Sequence, residues 1–116
     1  MSKLFFKHCT NDAKDVFRRM SVLCGEGKCE EALHWYGQYL GDADYEFINL
    51  DHIVSVSYEE MTWGYDAEGE SHEFNLYKVA TSDGKEHFGI ILDCYLYEEM
   101  QNKNNYMEFA VAPGRR

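Results

Sequence analysis

The stretch HEFNLYKVATSDGKEHFGIIL, residues 72–92, decides the fold. Residues 72–81 and 86–92 are rich in the aromatic and β-branched side chains that suit a pleated, half-buried surface. Between them, Ser82-Asp83-Gly84-Lys85 reads as a hairpin turn, because Asp-Gly supplies the positive φ angles that a two-residue turn requires. An antiparallel pair is therefore expected here.

Upstream, residues 64–71 (GYDAEGES) form a polar, glycine-bearing loop. Before it, from Tyr45 to Trp63, the hydrophobic period is two: Phe47, Ile48, Leu50, Ile53, Val54, Val56 and Tyr58 mark a strand with a kink at 49–52. Earlier still the period becomes helical. Ala13, Val16, Phe17, Met20, Leu23 and Cys24 recur at i, i+3, i+4, i+7, i+10 and i+11, with Lys14, Asp15, Arg18 and Arg19 opposite. Thr10, Asn11 and Asp12 are candidate N-caps for this helix, and Gly25 stands where a left-handed terminator is usual. A second helix is expected over 28–40, with Cys29, Leu33, Tyr36 and Leu40 on one face and Ala32, Trp35 and Tyr39 beside them. Gly37 inside it costs about 1 kcal/mol relative to alanine, and a close contact with another element would explain it.

At the ends, residues 3–8 read as a short first strand around Leu4-Phe5-Phe6. Asp93 is expected to cap a short helix through Met100, a continued strand being the alternative. A turn at 102–105 and a last strand carrying Met107, Phe109 and Val111 follow, before a frayed tail at 113–116. The order β-α-α-β-β-β-(α)-β predicts an α+β domain. Two N-terminal amphipathic helices pack on a four- to five-stranded, mostly antiparallel sheet. At 116 residues the chain has length for one domain, 1–116.

Charge is concentrated. Residues 29–77 contain no lysine or arginine and twelve carboxylates, more than the whole net charge of −10. The same stretch holds ten aromatic residues, which disordered acidic tails lack, so it is expected to fold. A net negative surface opposes direct binding of nucleic acid and of anionic membrane, whose recognition rests on lysine and arginine, and favours a basic protein partner. With no secretory pattern or membrane-length apolar run, the expected location is cytoplasmic, with the four cysteines reduced.

Specific chemistry finds little support in the spacing. Structural zinc favours paired short spacings; Cys24 and Cys29 make one such pair, and His8, Cys9, His34 and Cys94 do not make a second. Asp42-Ala43-Asp44-Tyr45-Glu46 and Asp66-Ala67-Glu68-Gly69-Glu70 alternate like the start of a calcium loop. An EF-hand needs glycine at position 6 and glutamate at 12, and the chain has Phe47 and Ile53, or Ser71 and Tyr77. No motif sets base, nucleophile and orienting group together, and no phosphate-binding glycine loop occurs. No catalytic residue, metal ligand or cofactor is assigned.

What remains is the acidic, aromatic surface. Trp63, Tyr65, Asp66, Glu68, Glu70 and Glu73 form the candidate partner-binding patch, most of them in or beside the 64–71 loop, and Glu59, Glu60, Asp42 and Asp44 extend it. Tyrosine and tryptophan dominate binding hot spots, and carboxylates around them steer association with a basic groove. The expectation is a small non-enzymatic protein that binds a basic partner, as a nucleic-acid mimic that inhibits a nucleic-acid-binding enzyme. In size and charge alone, with no motif shared, it resembles the compact acidic inhibitors that phages and mobile elements use against host nucleases. The alternatives are a small-molecule or metal-binding domain using His52, His72 or the cysteines, and a homo-oligomer subunit that buries its aromatics between chains.

Overall fold

The computed structural model describes residues 5–9, 12–42 and 45–93, and of residues 5–9 the backbone alone. The elements run β1 (Phe5–Cys9), α1 (Ala13–Gly25), α2 (Cys29–Gly41), β2 (Tyr45–Asn49), a 3-10 turn (Leu50–His52), β3 (Ile53–Tyr65), β4 (Ser71–Thr81) and β5 (Glu86–Leu92). The fold is α+β. Asp44, the expected helix after Asp93 and the strand around Phe109 lie outside the described residues.

Instead of one sheet of four or five strands, the described strands make two antiparallel sheets: β1 with β2, and β3-β4-β5 in that order. The cause is local. The predicted kink at 49–52 is a full break, because the Asn49 side chain accepts a hydrogen bond from Asp51 N at 2.9 Å and opens a 3-10 turn. Residues 45–49 then pair with β1 across the helical pair, while residues 53–65 pair with β4. The hairpin of β4 and β5 pairs as its turn chemistry predicts, with Gly84 at φ 85°.

The helices cover one face of the three-stranded sheet. Phe17, Met20 and Cys24 of α1 and Cys29, Ala32 and Tyr39 of α2 bury against Phe74, Leu76 and Ile90. Ile48 of β2 with Tyr77, Val79 and Ile91 makes a second core on the opposite face, joined by Leu50 and Ile53. With both faces covered, Phe74 through Tyr77 of β4 are all buried, which erases the in-and-out alternation of a one-sided strand.

Three local expectations change. Gly25 is the last helical residue, and Gly27, at φ 77°, is the left-handed terminator. Asp12 precedes α1 but makes no side-chain cap bond. Gly37 meets no atom within 4 Å where a Cβ would stand, so no close contact accounts for it. At Gly64 the lack of a side chain matters: a Cβ there would lie 3.0 Å from Cys29 Cβ, so β3 passes close over the start of α2. Among the described residues, no helix is long and apolar enough to cross a membrane.

Candidate functional site

Directly opposed residues of an antiparallel pair share a face. Val56, Tyr58, Met61, Trp63 and Tyr65 stand opposite Val79, Tyr77, Asn75, Glu73 and Ser71, so all five lie on the side away from the helices. A bulge between Tyr58 and Glu60 keeps them in one row, because the extra residue restores the parity that an odd step would lose. Ile48 and its neighbours pack with Tyr77 and Val79 on this side of the sheet. Met61, Trp63 and Tyr65 are 54%, 52% and 59% exposed. Trp63 and Tyr65 pack edge to face with ring centroids 5.3 Å apart, which holds two large rings in a fixed mutual orientation at the surface.

The predicted patch is partly brought together. Trp63, Tyr65 and Glu73 share the open face, but both rings sit on β3 itself, since the expected 64–71 loop contracts to a turn at 66–70. Glu68 and Glu70 are exposed on that turn. Glu60 opposes Leu76, which packs on the helices. Glu59 and Glu60 line a separate recess of about 540 Å³ with Lys14, Arg18 and Lys78. Asp42 is exposed at the end of α2.

Asp66 builds the turn. Its Oδ1 accepts from Glu68 N and Glu70 N at 2.9 Å each, and Gly69 takes the left-handed conformation, φ 86°, that closes the loop. Glu30 of α2 anchors the turn from outside by accepting from Ala67 N at 2.8 Å. His72 then links three segments: Nε2 lies 2.8 Å from Asp66 Oδ2 and Nδ1 lies 2.7 Å from Asp93 Oδ2. The Asp93 carboxylate, and after it that of Asp66, favour the charged imidazolium and raise the His72 pKa. His72 in turn, with the Glu70 N–H, lowers that of Asp66. Asp66, Glu70 and His72 bring potential ligand atoms within 4.8 Å of one another. From the sequence, His72 is a candidate ligand, Asp66 a patch residue and Asp93 a helix cap, and no short motif connects the three.

Two further clusters carry reactive groups. Cys24 and Cys29 are free thiols in the helical core. Burial first, then the neighbouring Cys24, pushes Cys29 up to about 11, so it stays an unreactive thiol at neutral pH. At the β4–β5 turn, His87 Nε2 lies 3.2 Å from Thr81 Oγ1, and His87 Nδ1 lies 3.3 Å from Glu46 Oε1. The order hydroxyl, imidazole, carboxylate matches a nucleophile array, but the Thr81 hydroxyl donates to Asp83 Oδ1 at 2.6 Å and Thr81 is buried. That donation lowers the Asp83 pKa and serves the turn. Compared with known proteins, the chain matches no protein family, no curated protein and no solved structure.

Proposed function

We propose that this is a non-enzymatic interaction protein that binds a basic protein partner through the outer face of β3. The observation that carries the reading is the exposed row Val56, Tyr58, Met61, Trp63 and Tyr65 on one strand of a chain with net charge −10. Exposed apolar rows of this length mark interaction sites, and rigid aromatic rings give contact area for little lost side-chain entropy. Glu68, Glu70 and Glu73 border the Trp63–Tyr65 end and supply long-range attraction for a cationic surface. In this reading the carboxylates stand where phosphates would, the rings where bases would, and the partner is a nucleic-acid-binding enzyme whose groove is occupied.

The test is capture from a cell lysate on the tagged chain, with washes at about 0.05 M and 0.5 M salt, over which the screening length falls from roughly 14 Å to 4 Å. Nucleic-acid-binding proteins retained at low salt, lost at high salt and displaced by added DNA or RNA are the expected result. A captured protein that nucleic acid does not displace counts against mimicry. A dimer that buries the Trp63–Tyr65 face in the absence of any partner would replace the reading with self-association.

A further inference from the structure

We propose that the β3–β4 turn is a binding site for a divalent transition-metal ion of the zinc class, with His72 Nε2, one Asp66 oxygen and one Glu70 oxygen as ligands. The three donor atoms already lie within 4.8 Å of one another. Tetrahedral zinc with bonds of about 2.1 Å needs donors about 3.4 Å apart. The 2.8 Å separation of Asp66 Oδ2 and His72 Nε2 therefore opens by roughly half an ångström, and the exposed Glu70 side chain swings inward.

The imidazole sets this cluster apart from an acidic surface turn. Asp93 Oδ2 accepts from Nδ1 at 2.7 Å, and Asp93 is itself held through Oδ1 by Glu73 N at 2.7 Å. That bond fixes the ring plane from behind and directs Nε2 at Asp66 and Glu70, the arrangement of an outer-shell carboxylate behind a metal-bound histidine. Asp66 is equally fixed, since its Oδ1 takes two backbone N–H groups and leaves Oδ2 facing the ring. The side chains of His72 and Asp66 are only 19% and 12% exposed, so water competes weakly at the inner two ligands.

Donor chemistry sets the class. One nitrogen and two carboxylates suit zinc-like ions, whereas calcium takes six to eight oxygens, which this turn does not gather. Two ligand carboxylates balance a dication, and the metal replaces the Nε2 proton that now bridges His72 to Asp66. Three protein ligands leave a fourth position for water.

The experiment is calorimetric titration of the full chain with zinc chloride in a non-chelating buffer, repeated on Glu70→Gln, His72→Phe and His34→Ala. Cobalt substitution reports the ligand type. One zinc per chain is expected, weakened at least about tenfold by Glu70→Gln, lost in His72→Phe and unchanged by His34→Ala. The cobalt complex should show weak visible bands without an intense thiolate charge-transfer band. Glu70→Gln alters only an exposed side chain, so its result stands even if His72→Phe fails to fold. No binding at about 0.1 mM zinc, unchanged affinity in Glu70→Gln, or a thiolate band placing the ion on cysteine would each overturn the proposal.

Discussion

Strands β3 and β4 are neighbours with similar composition, yet β4 is wrapped from both sides while β3 presents its apolar row to solvent. Phe74 and Leu76 of β4 face the helices, and Tyr77 and Val79 face β2. On β3, Trp63 and Tyr65 are more than half exposed although they pair directly with β4. A ring's chemistry therefore does not decide whether it is core. What packs over its face decides: Ile48 of β2 packs with Tyr77 and Val79, while Trp63 is half exposed.

Substitution at the two strands should separate these roles. Phe74→Ala removes a fully buried ring and should cost about 3–5 kcal/mol, read as a lower urea midpoint. Trp63→Ala should cost below about 1 kcal/mol, because half its surface already meets water. Equal losses would mean that the β3 row is packed, and the contrast would fail.

Glycine positions sharpen the same contrast. Gly89 of β5 lies under the ring of Tyr77, its cross-strand partner, and an added Cβ would collide with that ring. Gly89→Ala should lose about 1–3 kcal/mol by overpacking the covered face. Gly37→Ala, where a Cβ meets open space, should gain about 1 kcal/mol from helix propensity, seen as a raised Tm.

The smallest effect concerns the β4–β5 turn. The Thr81 hydroxyl and the Lys85 N–H hold the Asp83 carboxylate below its ordinary value. A depressed carboxylate contributes stability that is present above its unfolded pKa of about 4 and is lost as pH falls through the lower folded value. In acid titrations followed by circular dichroism, Thr81→Val should flatten that part of the stability curve while leaving the neutral-pH fold intact.

How far the sequence was legible follows from the range of the forces involved. Helix α1 and the hairpin around Asp83-Gly84 were readable because hydrophobic period and turn chemistry act within a few residues. The division into two sheets was legible only in part: the kink at 49–52 is written in the sequence, but that residues 45–49 leave β3 and pair with β1 depends on a partner about forty residues away. Trp63 and Tyr65 were identified as surface residues from an expected loop, whereas their exposure comes from an uncovered strand face. The Asp66–His72–Asp93 linkage was invisible because β3, β4 and β5 must pair before those groups meet.

The most direct measurement pairs a melting curve with partner capture for Trp63→Ala/Tyr65→Ala, beside the parent chain. A melt within a few degrees of the parent, with capture of nucleic-acid-binding proteins at low salt reduced at least about thirtyfold, is expected if both rings are hot-spot residues. Capture undiminished in a folded double variant would contradict the β3 face as the binding surface.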